Sequence, residues 1–100
     1  MTEQRHPAEC FHPGEFLAEE LAARSWTVAE FTRRCNQKSR KTWLTTEAAV
    51  QEILDRKARV DAVTAFRFHQ ALGTSAEYWQ NLQAAYDSWQ VEEARRSVAP

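Results

Sequence analysis

Apolar side chains recur along most of this chain at intervals of three and four residues, which is the spacing of amphipathic helices and not of strands. The first helix is predicted over 13–24, because Pro13 suits the first turn and the glutamates that follow favour the positive end of the helix dipole. Its buried stripe is expected to consist of Phe16, Leu17 and Leu21.

A second, shorter helix is predicted over 28–35. Thr27 followed three residues later by Glu30 forms a capping box at its start. Asn36 is expected to end it, since Asn tolerates the left-handed conformation found after many helices. The segment 37–43 has no apolar period and carries three cations, so it is predicted to be a basic connection of undetermined shape.

Three further helices are predicted in the second half of the chain. Thr45 or Thr46 caps the third, over 46–58, Asp61 caps the fourth, which ends at Gly73, and Thr74 or Ser75 caps the fifth. The side chains expected to face inward are Val50, Ile53 and Leu54 on the third helix, Ala65, Phe66, Phe68 and Leu72 on the fourth, and Tyr78, Trp79, Leu82, Ala85, Tyr86 and Trp89 on the fifth.

Composition limits the architecture to one small helical domain. The chain has 100 residues with only 2 glycines and 3 prolines, too few for a hairpin-rich β-sandwich and too short for a multi-domain enzyme. We therefore expect an all-α fold of about five helices. The expected layout is a lead-in over 1–11, a domain over 12–91 and a polar, fraying tail over 92–100.

Charge is nearly balanced overall but unevenly distributed. With 13 basic and 14 acidic side chains the formal charge is −1, so no global field favours nucleic acid or membrane. Residues 1–20 are acidic, whereas residues 33–41 hold five cations and no acid. That basic run is either a solvated face or a contact for phosphates.

The sequence predicts no metal, cofactor or catalytic site. Cys10 and Cys35 form no disulfide framework, and no signal peptide or membrane span is present, so a cytoplasmic protein is expected. The cluster of His6, Cys10 and His12 fits no zinc spacing. No Gly-rich phosphate loop or nucleophile motif appears, and His69 has no catalytic partner, so we expect a protein that is not an enzyme.

Two stretches carry a family resemblance. Residues 12–17, HPGEFL, with Glu19, Glu20 and Leu21, and residues 71–87, ALGTSAEYWQNLQAAYD, resemble the opening and closing signatures of HigA-type antitoxins. The resemblance covers residues 12–89. It implies a lambda-repressor-like helix-turn-helix fold and a dimeric bacterial regulator, which binds its own operator DNA and neutralises a co-encoded, ribosome-dependent mRNA endonuclease of the HigB type.

The middle of the chain departs from that family. Val28 stands where a glutamine usually contacts the DNA backbone, and Asn36 stands near the usual glycine of the turn. About eight extra residues, 36–43, lengthen the turn between the second and third helices. Asp55-Arg56-Lys57 replaces the common Asn-Gly-Lys after the recognition helix.

The resemblance, the basic run and the helical spacing together predict which residues bind DNA and which pack the protein. The base-reading candidates, at the start of the recognition helix, are Thr46, Glu47, Ala48 and Gln51. The phosphate candidates are Thr27, Arg33, Arg34, Lys38, Arg40, Lys41, Thr45, Arg56 and Lys57. The candidates for core or dimer packing are Phe16, Leu17, Leu21, Phe31, Ile53, Leu54, Phe68, Leu72, Trp79, Leu82, Tyr86 and Trp89.

Two main functions remain open at this point, and a metal or redox sensor using Cys10 and Cys35 is a distant third. The first is a DNA-binding antitoxin and transcriptional regulator. The second is an interaction protein that has kept the antitoxin scaffold but lost operator recognition, which Val28, Glu47 and the interrupted turn favour. Trp43, within the basic turn, either anchors that turn on the domain or is exposed for a partner.

Overall fold

The computed structural model describes residues 11–37 and 44–98, and these residues form helices and their connections. The helices are α1 (Pro13–Arg24), α2 (Val28–Asn36), α3 (Glu47–Leu54), α4 (Ala62–Leu72) and α5 (Ala76–Val98). The prediction of an all-α fold with about five helices is confirmed.

Side-chain caps start four of the helices where the sequence places them. In each case the capping oxygen accepts a hydrogen bond from the backbone N–H three residues later, which satisfies one of the free amides of the first turn. Thr46, not Thr45, caps α3, and Ser75, not Thr74, caps α5. The donor–acceptor distances are 3.1 Å at Thr27, 3.0 Å at Thr46, 2.9 Å at Asp61 and 3.0 Å at Ser75.

The start of α1 is fixed by a histidine. His12 Nδ1 accepts a hydrogen bond of 2.8 Å from the Gly14 N–H, and the ring is buried against Tyr86 of α5 at 5.0 Å between ring centroids. Gly14 is required by a close approach, because a Cβ there would collide with the backbone carbonyl of Ile53 in α3. The HPG sequence therefore joins α1 to both α3 and α5.

Burial lowers the pKa of His12 from its ordinary value of 6.5, and the positive charge of Arg56 lowers it further. A hydrogen bond with the Ala58 backbone and the carboxylates of Glu15 and Asp87 oppose this shift. The neutral ring, whose Nδ1 is an acceptor, is the form that caps α1.

A chain of aromatic rings packs three helices together. Phe31 of α2 lies edge-to-face against Phe68 of α4 at 5.2 Å, and Phe68 lies edge-to-face against Trp79 of α5 at 5.0 Å. The buried core comprises Leu17, Leu21, Phe31, Cys35, Val50, Ile53, Val60, Ala65, Phe68, Leu72 and Trp79. Phe16, Leu54 and Leu82 pack against its edge and are partly buried.

The predicted end of the third helix at residue 58 is wrong, since α3 ends at Leu54. The Arg56 N–H bonds to the Ile53 carbonyl at 3.0 Å, and the Lys57 N–H bonds to the Glu52 carbonyl at 2.8 Å. This pair of bonds is a Schellman motif, and Arg56 takes the left-handed φ of 64° that glycine usually takes there. The helix stops here because the chain reverses at Arg56, so that the amides of Arg56 and Lys57 bond to the last carbonyls of the helix.

The loop between α3 and α4 is bound to α5 by polar side chains. Gln83 is buried and accepts a hydrogen bond of 2.7 Å from the Val60 N–H. Asp87 receives one bond from Gln83 at 2.9 Å and two from the Arg59 guanidinium at 2.8 and 3.2 Å. These contacts fix the segment that follows α3 on α5, and they thereby help to hold the orientation of α3.

Some residues expected inside lie outside. Phe66 is 52% exposed, because the buried positions of α4 follow Ala65, Phe68 and Leu72, a stripe that excludes residue 66. On α5, Tyr78 is 40% exposed and Ala85 is also exposed, since the core-facing side of that helix is centred on Trp79.

Residues 92–98 of the polar tail expected over 92–100 belong to the last helix. Helix α5 continues through Val98. Its polar last turns carry ion pairs at i,i+3 spacing, between Arg95 and Glu92 and between Arg96 and Glu93, which support helical structure.

Candidate nucleic-acid interface

The first turns of α3 present the base-reading candidates on one exposed face. Glu47, Ala48 and Gln51 are exposed, whereas Val50 and Ile53 on the opposite face are buried in the core. Thr46 is exposed as well, but its hydroxyl already accepts the Ala49 N–H as the helix cap. The helix is therefore held by its apolar side, and its polar side faces solvent.

Gln51 is engaged by a neighbour on its own helix. Its Nε2 donates a hydrogen bond of 3.0 Å to Asp55 Oδ1, one turn further on. Bidentate pairing with adenine uses both the amide nitrogen and the amide oxygen of a glutamine. In this structure the amide nitrogen of Gln51 is therefore already used in an exposed contact with Asp55.

Asn36 ties the end of α2 to the start of α3. Its Nδ2 donates to the Thr45 carbonyl at 3.0 Å, and its Oδ1 accepts from the Thr45 N–H at 2.8 Å. The prediction that Asn36 takes the left-handed conformation is wrong, since α2 includes it and Gln37, with φ −57°, ends the helix. The Asn36 side chain therefore fixes Thr45, the residue before the Thr46 cap. In the family this connection is a short turn with a glycine.

Sequence reasoning did not anticipate this bridge. The available signal was the replacement of the family's glycine by a residue that both donates and accepts hydrogen bonds. The partner, Thr45, lies on the far side of the lengthened turn, so spacing alone could not identify it.

Both arginines of α2 are paired with one carboxylate. The Arg33 guanidinium donates to both oxygens of Glu30, at 2.7 and 3.3 Å, and Arg34 Nε donates to Glu30 Oε2 at 2.6 Å. These hydrogen bonds, from Arg33 first and Arg34 second, lower the pKa of Glu30, and the pKa of Arg33 rises in turn. In the predicted capping box, the Thr27 hydroxyl accepts a hydrogen bond from the Glu30 N–H. The Glu30 carboxylate accepts its hydrogen bonds from the two arginines.

Trp26 gives Arg34 a second contact. The Arg34 guanidinium carbon lies 4.2 Å from the centre of the indole ring, and that of Arg24 lies 5.4 Å from it. Both distances are within the range of cation–π attraction. Arg34 is thus held between a carboxylate and an aromatic face.

Two further cations follow α3. Arg56 donates to Glu15 of α1 at 3.2 Å and is largely exposed. Lys57 is exposed, and its side chain has no ion pair among residues 11–37 and 44–98. Thr45 is half-buried and held by Asn36.

The remaining phosphate candidates, Lys38, Arg40 and Lys41, lie outside the described residues, as does Trp43. Their placement at the DNA surface therefore stays a prediction. Of the described residues on either side of this segment, Asn36 and Thr45 are joined by two hydrogen bonds.

The described cysteine and histidine side chains away from this face are buried or hydrogen-bonded within the fold. Cys35 is fully buried, and burial raises the pKa of its thiol to about 12, which disfavours the reactive thiolate. His69 Nδ1 lies 2.8 Å from the Thr74 carbonyl. Within the described ranges, no group of three or more His, Cys, Asp or Glu side chains is arranged to hold a metal ion.

Of the aromatic packing candidates on α5, Trp79 belongs to the core, with no exposed surface. Its indole N–H donates to Thr74 Oγ1 at 2.7 Å. Tyr86 and Trp89 are half-buried, with ring centroids 5.8 Å apart.

Comparison with known proteins reveals the family. No family model matches the chain. The solved structure of the antitoxin GraA is 30% identical, with 84% of this chain and 83% of that one covered and a TM-score of 0.73. An addiction module antidote protein of the HigA family from Coxiella burnetii is 29% identical, with 90% and 96% covered and a TM-score of 0.69. The chain belongs to the HigA family of antitoxins.

A second HigA structure was solved with promoter DNA. The Pseudomonas aeruginosa antitoxin HigA, solved with the higBA promoter, is 26% identical to this chain. The alignment covers 89% of each chain with a TM-score of 0.76. The resemblance noted in residues 12–17 and 71–87 thus extends to the whole helix-turn-helix fold.

The curated relatives match a shorter stretch of this HigA-family chain. They are uncharacterised HTH-type transcriptional regulators named YbaQ, from Escherichia coli strains, 33% identical over 49 residues. The match spans 49% of this chain but only 43% of theirs. Over the residues that the structure describes, no helix has the length and apolar character needed to cross a membrane.

Proposed function

We propose that this chain is a DNA-binding antitoxin, which represses its own promoter as a dimer and neutralises a toxin of the HigB type. The observation that carries the proposal is the exposed polar face at the start of α3, within a HigA-family fold. The promoter complex of the Pseudomonas aeruginosa relative supports it, because that protein shares the fold over 89% of the chain.

In this proposal α3 enters the major groove by its N-terminal end. Gln51 leaves Asp55 and pairs with an adenine, and Thr46 and Ala48 approach neighbouring base edges or phosphates. Glu47 accepts a hydrogen bond from the exposed N4 amino group of a cytosine.

Phosphate contacts come from around that helix. Lys57 and Arg56 lie just beyond its end, and Thr27 lies at the start of α2. The basic run that precedes the helix in sequence supplies Lys38, Arg40 and Lys41. Such contacts position the protein on DNA without reading sequence, and each makes binding more sensitive to salt.

A second copy of the chain and a toxin complete the proposal. Helix-turn-helix dimers read two half-sites about 34–36 Å apart, so an operator with two-fold symmetry implies two copies. The toxin partner, an mRNA endonuclease encoded beside this chain, follows from membership of the HigA family. The protein itself has no catalytic role, and it acts in the cytoplasm, where the promoter lies.

The first test is a titration of the DNA upstream of the chain's own gene. Fluorescence anisotropy with that duplex and with random duplex of equal length, at low and moderate salt, is expected to give tighter binding to the upstream DNA. Equal affinity for the two duplexes would contradict the specific-operator proposal.

Two sets of variants separate reading from positioning. Gln51→Ala is expected to lose about 1–3 kcal/mol on the operator and little on random DNA, because a base contact is removed. Replacing Lys38, Arg40 and Lys41 with alanine is expected to weaken binding to both duplexes and to reduce the slope of log K against log salt by about 0.9 for each lost phosphate contact. The opposite pattern would reverse the roles assigned to these two groups.

The toxin partner is tested by co-expression. A tagged product of the neighbouring gene is expected to co-purify with this chain and to lose its mRNA cleavage in the complex. A neighbouring product that neither binds nor is inhibited would contradict the antitoxin proposal while leaving DNA binding intact.

A second function, protein interaction without operator recognition, is favoured by two acidic side chains on the proposed DNA face. Glu47 is exposed at the first turn of α3, and Glu30 pairs with both arginines of α2. Binding of the toxin with an affinity unaffected by replacing Lys38, Arg40 and Lys41, together with equal binding to operator and random DNA, is the outcome that selects this function.

A further inference from the structure

Glu30 is placed to control the charge of α2. Its single carboxylate forms ion pairs with Arg33 at 2.7 Å and with Arg34 at 2.6 Å. The Arg33 pair is a fork, in which Nε and Nη2 each donate to a different oxygen. One acidic residue therefore forms ion pairs with both cations in the last turn of α2.

The position of Arg33 relates this cluster to the reading helix. On a helix, residues three apart lie on neighbouring parts of one face, so Arg33 lies one turn from Asn36. Asn36 in turn holds Thr45, the residue before the α3 cap, by two hydrogen bonds. Arg33 is accordingly on the flank of α2 that runs toward the start of α3.

The cluster is open to solvent and can exchange partners. The side chain of Arg33 is 59% exposed, and those of Arg34 and Glu30 are 38% and 32% exposed. Ion pairs in such surroundings contribute little, because water and salt screen them. A DNA phosphate can therefore replace Glu30 on either guanidinium, but the displaced carboxylate then faces the phosphates and repels them.

We propose that Glu30 limits the affinity of this chain for DNA, because it competes with phosphates for Arg33 and Arg34. The inference rests on the proposed DNA-binding function. In this role the ion pairs of Glu30 keep the sequence-independent part of DNA binding weak. Base reading by α3 then accounts for a larger share of the preference for operator over random DNA.

The test compares Glu30→Gln with a matched control. Gln retains the backbone N–H that Thr27 caps but carries no charge. Glu20→Gln makes the same charge change in another carboxylate–arginine pair of i,i+4 spacing, Glu20–Arg24 on α1. Arg24 in the control stays bound to the Leu72 carbonyl at 2.9 Å, so no cation is released toward α3.

Affinity for upstream and random duplex is measured from low to moderate salt, after circular dichroism melting has confirmed the fold of each variant. We expect Glu30→Gln to bind both duplexes about threefold to tenfold more tightly than wild type. The slope of its log K against log salt should be steeper by about 0.9–1.8, which corresponds to counterion release from one or two additional phosphates. Glu20→Gln should match wild type in slope.

The outcomes separate this inference from the proposed function. If wild type binds DNA but Glu30→Gln is no tighter and no steeper in salt dependence than Glu20→Gln, the inference is overturned and DNA binding stands. If only Glu30→Gln binds DNA, the inference holds and the operator function of the natural chain fails. If no variant binds any duplex, both are overturned.

Discussion

Replacing Arg56 with glycine tests how the chain ends its candidate reading helix. Arg56 follows the C-cap of α3 at φ 64°, a conformation that disfavours any side chain with a Cβ. The family's Asn-Gly-Lys would place glycine at this position. The chain instead keeps the two Schellman hydrogen bonds with an arginine.

The magnitude follows from three contributions. Removing the Cβ relieves about 1–2 kcal/mol of backbone strain, whereas the extra freedom of glycine in the unfolded chain costs about 0.4–1 kcal/mol. Loss of the exposed Arg56–Glu15 pair costs at most about 1 kcal/mol and is shared with Arg56→Ala. Arg56→Gly is therefore expected to be about 1 kcal/mol more stable than Arg56→Ala, or about 4–8 °C in melting temperature.

Thermal and urea unfolding of the two variants, followed by circular dichroism, measure that difference directly. The alanine variant is the control, since it lacks the guanidinium but keeps the Cβ. If Arg56→Gly were no more stable than Arg56→Ala, the left-handed conformation at this position would not be a source of strain. Both variants are expected to lose DNA affinity, because each removes a phosphate candidate.

Three more outcomes are expected from contacts near α3. Gly14→Ala should destabilise the fold by about 1–3 kcal/mol in urea unfolding, because its Cβ meets the Ile53 carbonyl, and an unchanged midpoint would contradict that close approach. Acidification below pH 6.5 should reduce stability by up to about 1.4 kcal/mol per pH unit, since burial lowers the pKa of His12 and the unfolded state binds its proton first. His12→Asn, which can still cap α1, should lose that dependence between pH 5 and 7; an unaltered pH profile would assign it to another group. Asn36→Ala should cost about 1–2 kcal/mol and weaken operator binding, because the Thr45 amide and carbonyl lose their partners, and wild-type affinity would show that this bridge does not position α3.

Sequence patterns predicted the helices well where local chemistry decides them. The caps Thr27 and Asp61 and the end of α4 at Gly73 are set within a few residues of chain, so their signals are complete in the sequence. The end of α3 was missed because arginine at a left-handed position is rare, and only the Schellman bonds reveal it.

The candidate site was only partly predictable, because its details depend on contacts across the chain. The helical spacing of Glu30, Arg33 and Arg34 was visible in advance, but their joint pairing needs the actual side-chain orientations. The bonds from Asn36 to Thr45 cross the lengthened turn, and no periodicity encodes them.

The central claim is that the N-terminal end of α3 contacts bases in the operator. A photo-crosslinking side chain at Ala48, which is exposed on that face, tests it most directly; Ala85, exposed on α5, is the control position. We predict crosslinks from position 48 to bases within two symmetric half-sites of the upstream DNA, and none from position 85. Crosslinks from position 85 alone, or from neither position under conditions where the DNA is bound, would contradict the claim.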